Sequence, residues 1–136
     1  MSQYIVIGLG YVGINLFHSL QKKYTRVIGY DVDKTKISLL NNGIDPSNEI
    51  KNFKLLHKSI CTDKLENVLK LDKHTLFFIC VPTPLKGTQP DLSILEKAII
   101  KISSLKLKKP FIIVNESSVY PGQTELIANK ILSNQK

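Results

Sequence analysis

Residues 5–13 read Ile-Val-Ile-Gly-Leu-Gly-Tyr-Val-Gly, an apolar run that enters three glycines spaced G-x-G-x-x-G. No other feature limits the fold of this chain so tightly. The backbone must leave a strand, turn and open a helix within a few residues. Gly8 permits the turn, Gly10 removes the Cβ that would stand between the backbone and a pyrophosphate, and Gly13 lets helix and strand approach closely. The helix opening at Tyr11 and Val12 would then turn the free N–H groups of its first turn, and the positive end of its dipole, toward the phosphates.

Glycine-rich turns also arise wherever positive φ is required, so the surroundings decide what this one is for. Tyr4 to Ile7 form an apolar strand, and Val12, Leu16, Phe17 and Leu20 recur at helical spacing. Residues 26–30 make a second strand that ends at Asp31, 18 positions beyond Gly13. An acid about there accepts hydrogen bonds from the adenine-ribose hydroxyls, and its charge repels a 2′-phosphate, which favours NAD over NADP. Asp31 could instead cap the following helix. Asp33 is better placed for that, because the helical run 34–41 begins directly after it.

The rest of the chain alternates as an α/β sheet requires. Strands are expected at residues 3–7, 26–30, 59–62, 76–81 and 111–115. Helices are expected at 11–21, 34–41, part of 52–57, 64–69, 92–105 and 122–132, with Asp91 as N-cap of the fifth. The runs Leu76–Val81 and Phe111–Val114 are continuously apolar, which suits parallel strands buried on both faces. The expected fold class is therefore α/β: a Rossmann-type, doubly wound parallel sheet in three α/β/α layers. With 136 residues and 43% hydrophobic content, residues 1–136 are expected to form one NAD(P)-binding domain.

Charge narrows the choice of partners. The net charge is +8, yet Arg26 is the only arginine and the lysines are spread along the chain. Base readout and bidentate phosphate recognition rely on arginine, so a solvated lysine surface is expected and no nucleic-acid partner. Neither an apolar run long enough to span a membrane nor a secretion signal is read, so no membrane partner is expected. Cys61 and Cys80 lie in apolar surroundings without C-x-x-C spacing, and His18, His57 and His74 are scattered. These are expected to be reduced core thiols in a cytoplasmic protein, with no metal site.

Ligands of doubly wound sheets sit beyond the carboxyl ends of the strands, and the turns there are unusual in this chain. Cys80-Val81-Pro82-Thr83-Pro84-Leu85 follows one strand, and Asn115-Glu116-Ser117-Ser118-Val119-Tyr120-Pro121-Gly122 follows another. Prolines stiffen both turns, which would set the hydroxyls of Thr83 and Ser118 at the rim, free to meet a cofactor or substrate. Spacing alone leaves them equally readable as turn-stabilising hydroxyls.

Six motifs taken together resemble the NAD-binding domain of the UDP-glucose/GDP-mannose dehydrogenase family. They are Gly-Leu-Gly-Tyr-Val-Gly at 8–13, Gly-Tyr-Asp-Val-Asp at 29–33, Asn42-Gly43-Ile44-Asp45-Pro46 with Glu49, Cys-Val-Pro-Thr-Pro-Leu at 80–85, Pro90-Asp91-Leu92-Ser93, and Glu-Ser-Ser-Val-Tyr-Pro-Gly at 116–122. Within the family, the motifs at 80–85 and 116–122 are more similar to the branch that oxidises UDP-N-acetylhexosamines for surface polysaccharide. The resemblance implies that the C6 alcohol of a UDP-sugar is oxidised to a uronate with two NAD⁺, a cysteine trapping the aldehyde. It implies pyrophosphate contacts from Gly8, Gly10, Tyr11, Val12 and Gly13, ribose contacts from Asp31 and Lys36, and cofactor contacts from Pro82 and Thr83. Ser118 matches a family threonine at the nicotinamide end that orients water in the hydrolytic step.

The family's nucleophilic cysteine, catalytic lysine, sugar-nucleotide domain and dimer helix have no counterpart among these residues. The chain alone is therefore expected to bind NAD without turnover, and the family's proteins are typically homodimers or larger. Two other readings stay open. One is a non-catalytic NAD-binding or assembly module; the other is a Rossmann dehydrogenase of the 3-hydroxyacid or 6-phosphogluconate type.

Overall fold

A computed structural model describes residues 1–133 of the chain. Five parallel strands form the central sheet: β1 (Gln3–Ile7), β2 (Val27–Tyr30), β3 (Ile60–Thr62), β4 (Thr75–Ile79) and β7 (Phe111–Asn115), in the order β3-β2-β1-β4-β7. A small antiparallel ribbon, β5 (Leu85–Lys86) with β6 (Gln89–Pro90), stands apart from it. The helices are α1 (Tyr11–Lys23), α2 (Lys34–Asn41), α3 (Ser93–Ser104) and α4 (Gln123–Leu132).

Two apolar layers sandwich the sheet. On one face Ile14 and Phe17 of α1 and Ile37 and Leu40 of α2 pack with Val6, Val27 and Phe53. On the other, Leu95, Ile99 and Ile102 of α3 and Ile127 of α4 pack on Ile5, Ile7, Ile28, Phe77 and Ile79. Successive side chains of a strand point to opposite faces, so the continuous apolar runs of β1 and β4 supply both layers at once. This is the doubly wound, three-layer arrangement expected from the sequence. Its first half, β1-α1-β2, is the unit that the glycine pattern demanded.

The close approach of α1 to the sheet depends on two glycines. Gly8 has φ +91°, and a Cβ there would stand 2.7 Å from the carbonyl oxygen of Cys80. A Cβ on Gly13 would fall 1.7 Å from the carbonyl oxygen of Gly8, inside bonded-contact range.

Several expectations need correction. Residues 52–57 are not helical, because Asn52 and His57 adopt left-handed φ values of 54° and 55° and interrupt any helix. Residues 64–69 contribute a single 3₁₀ turn, Leu65–Asn67, instead of a helix. The strand expected at 76–81 runs from Thr75 to Ile79, so Cys80 lies just past its end and not within it. Asp91 is not the N-cap of α3: the helix opens at Ser93 with Leu92 as N-cap, and Asp91, one residue earlier, accepts the Ser93 N–H at 2.9 Å. α4 is described to Leu132, while the notional end of the chain at 134–136 lies outside the described residues.

Among the described residues β7, at the end of the sheet, pairs only with β4, and Ile112, on the α1 side of the strand, is 60% exposed. Phe111 and Ile113 on the opposite face pack under α3 and α4. The strand is thus apolar on both faces and covered on one.

Gly13→Ala is expected to cost at least about 3 kcal/mol, lowering the melting temperature by roughly 10 °C or more in thermal unfolding. Here the obstruction is backbone and cannot rotate away. A melting temperature within a few degrees of wild type would contradict the close packing of α1.

Candidate functional site

The carboxyl ends of the strands gather four segments: the glycine turn after β1, Asp31 after β2, and the loops after β4 and β7. The glycine turn leads into α1 through Gly10, which acts as N-cap with φ −76° and no side-chain hydrogen bond. The first turn of α1 carries no acidic residue. Its N–H groups lack intrahelical partners by the geometry of any helix start, and no side chain caps them. A Cβ built on Gly10 meets nothing within 4 Å, so open space faces the backbone where Gly8 and Gly13 are crowded. Tyr11 and Val12 flank that space, 67% and 59% exposed. A helix start with positive potential, no cap and free room has the chemistry to hold a phosphate.

Asp31 joins this turn to the second strand. Its Oδ2 accepts the Leu9 N–H at 2.8 Å and the Lys36 ammonium at 2.9 Å, and its Oδ1 accepts the Asp33 N–H at 3.0 Å. Asp33 caps α2 through the Lys36 N–H at 3.1 Å, as the sequence suggested. Burial is the largest influence on the Asp31 carboxyl and pushes its pKa up. The N–H groups of Asp33 and Leu9 and the Lys36 ammonium outweigh it together, leaving the pKa below the ordinary value. The carboxylate is therefore a fixed, largely buried acceptor, and its charge is partly matched by Lys36.

A further tie holds the loop at 42–53 beside the same helix. Asn15 donates from Nδ2 to the Tyr11 carbonyl at 2.8 Å and to Glu49 Oε2 at 3.0 Å. Asp45 organises the loop itself, accepting from Ser47 N–H, Ser47 Oγ and Ile50 N–H. A cleft of about 410 Å³ is lined by this loop, between residues 43 and 53.

The loops after β4 and β7 meet each other. The Thr83 hydroxyl, expected to be free, donates to the Ser118 carbonyl at 2.7 Å, so its proton is already committed. Pro82 and Ser118 are exposed beside it. Behind them Ser117 Oγ donates to the Val81 carbonyl at 2.8 Å, and Asn115 Nδ2 donates to Thr124 Oγ at 2.9 Å. Sequence reading passed over Leu9, Asn115 and Ser117. Leu9 acts through its backbone, which no side-chain pattern reports; Asn115 and Ser117 could have been noticed as polar residues closing an apolar strand.

The two thiols stand apart from this chemistry. Burial, and secondarily the Asp31 charge, pushes the Cys61 thiol up to about 12. Burial, and then the Glu116 charge, pushes Cys80 up to about 11. Among the described residues, no group of three His, Cys, Asp or Glu could hold a metal ion, and no helix is long and apolar enough to cross a membrane.

Residues 2–136 match the UDP-glucose/GDP-mannose dehydrogenase family, NAD binding domain. The chain is 41% identical over 121 residues to a UDP-N-acetyl-D-glucosamine 6-dehydrogenase of Pseudomonas aeruginosa, covering 88% of this chain and 28% of that protein. It is 36% identical over 135 residues to a UDP-N-acetyl-D-mannosamine dehydrogenase of Pyrococcus horikoshii, covering 95% of this chain and 31% of that one. Among solved structures, a ternary complex of GDP-mannose dehydrogenase from Pseudomonas aeruginosa superposes with a TM-score of 0.83 at 30% identity, over 97% of this chain and 32% of that chain. The chain thus spans less than a third of the length of those two relatives.

Two outcomes are expected from the site chemistry. Because the folded pKa of Asp31 is depressed, its contribution to stability is complete above the ordinary carboxylate pKa and is lost as pH falls through the folded value. Denaturant unfolding of wild type and Asp31→Asn should differ by a constant amount from about pH 6 to 8, and the gap should close from about pH 4 downward. Iodoacetamide at pH 8 should leave Cys61 and Cys80 unmodified in the native protein and label both in denaturant, as followed by intact mass. Rapid native labelling would show that the thiols are not held as described.

Proposed function

The chain belongs to the UDP-glucose/GDP-mannose dehydrogenase family, and from this footing we propose that it is the NAD-holding part of a nucleotide-sugar 6-dehydrogenase. The proposed substrate of the whole protein is a UDP-N-acetylhexosamine, oxidised at C6 to the uronate for surface polysaccharide synthesis. The names of the relatives from Pseudomonas aeruginosa and Pyrococcus horikoshii support that choice of sugar. The cytoplasm is the proposed setting, which two buried, reduced thiols suit. A homodimer or larger assembly is proposed on the family resemblance.

One observation carries the cofactor assignment: an uncapped helix start faces open space at Gly10, with the Asp31 carboxylate fixed on the N–H of the adjacent Leu9. In this reading Gly8, Gly10, Tyr11, Val12 and Gly13 seat the pyrophosphate against the first turn of α1. Asp31 and Lys36 meet the adenine ribose, the carboxylate accepting from its hydroxyls while the ammonium steadies the carboxylate. Pro82, Thr83 and Ser118 border the nicotinamide end. The Thr83 proton is spent on Ser118, so its oxygen can only accept from the cofactor, whereas the Ser118 hydroxyl can donate or hold a water. Bound NAD supplies the hydride acceptor. The described residues supply binding and orientation; neither buried thiol is the nucleophile.

Calorimetry tests the reading directly. Wild type should bind NAD⁺ at least about 10-fold more tightly than NADP⁺, and Asp31→Ala should lose about 10-fold or more of its NAD⁺ affinity. Gly10→Ala should abolish most NAD⁺ binding while shifting the melting temperature by only a few degrees, because its added methyl enters the phosphate space and touches no protein atom. Equal affinity for both cofactors, or full binding by Gly10→Ala, would sink the assignment.

A further inference from the structure

The loops beyond β4 and β7 come from strands that lie side by side, yet a strand pair says nothing of how the loops past its end are arranged. Two hydroxyls settle it here. Ser117 Oγ reaches from the β7 loop to the Val81 carbonyl at 2.8 Å, and Thr83 Oγ reaches back from the β4 loop to the Ser118 carbonyl at 2.7 Å. The β7 loop is also held from behind, since the Ser117 N–H donates to Asn115 Oδ1 at 3.0 Å and the Glu116 N–H to the Ile79 carbonyl at 2.9 Å. The backbone leading into Ser118 is therefore pinned at 116, 117 and 118, while the Ser118 side chain faces solvent.

We infer that Ser117 is a positioning residue: its hydrogen bond to the Val81 carbonyl fixes the turn that presents Ser118 to the nicotinamide end of the cofactor. This rests on the NAD reading above. Ser117 is half-buried, its proton is directed at protein and not at the ligand space, and it acts only through its neighbour. Without that hydroxyl the Val81 carbonyl loses a partner and the turn at 116–120 gains freedom that must be removed again when the ligand binds. The Gly10 turn and Asp31 do not share this tie, so the adenosine and pyrophosphate half of the site should be indifferent to it.

That division gives the test. Calorimetry compares NAD⁺ with ADP-ribose, which lacks the nicotinamide, on wild type, Ser117→Ala and Ser117→Thr. Wild type should prefer NAD⁺, Ser117→Ala should lose about 5- to 10-fold in NAD⁺ affinity with ADP-ribose unchanged, and Ser117→Thr, which keeps the hydroxyl, should restore most of the preference. Asn115→Ala releases the Ser117 N–H at the back of the same turn, from a residue outside the proposed cofactor contacts, and should show the same selective loss, which keeps the inference testable even where Ser117→Ala unfolds. An unchanged NAD⁺ to ADP-ribose ratio in both variants, equal losses for both ligands, or a wild type without preference would overturn the positioning role alone. Failure of wild type to bind either ligand would overturn the NAD reading and this inference with it.

Discussion

The Asp31 carboxylate ties the glycine turn, 22 residues away in the chain, to the start of α2. It accepts from the backbone of the glycine turn at Leu9, from the start of the next loop at Asp33, and from the α2 side chain of Lys36. The carboxylate is buried, and these three donors together outweigh the cost of burying its charge. The arrangement makes the glycine turn a fixed object. The missing Cβ at Gly13 lets α1 lie against it, so the direction of the helix start follows from contacts inside the protein.

A second kind of constraint operates on the opposite side of the switch between β1 and β4. There the turns are held by hydroxyl-to-carbonyl bonds across neighbouring loops and not by a buried charge. Such bonds are individually worth only about 1 kcal/mol, so their effect lies in geometry more than in stability. The site thus has a rigid half built on an ion pair and a helix, and a lighter half built on serine and threonine.

The strong periodic signals of the sequence carried over into the structure. The glycine spacing, the apolar runs of β1 and β7, the amphipathic repeat of α1 and the cap at Asp33 all stand where local chemistry placed them. The short helical runs at 52–57 and 64–69 did not follow their pattern, although the strand between them did; at 52–57 tertiary demands override the run, since Gln21 draws in the backbone of Lys54 and Leu56, and Asn52 and His57 turn left-handed to make that path. The same limit appears at the candidate site. Asp31 was visible from its distance to Gly13, while the commitment of the Thr83 proton and the role of Ser117 depend on which loops become neighbours, and no spacing rule reports that.

The exposed flank of β7 gives the lysine-rich surface a second meaning. An apolar strand with an unpaired backbone edge attracts its own kind at short range, and that attraction is little affected by ions. The net charge of +8 opposes it at longer range through repulsion between molecules, which dissolved salt screens within about 10 Å at 0.1 M. Colloidal stability of the free chain is thereby a contest between a contact force and a screened one, and ionic strength decides where the balance lies.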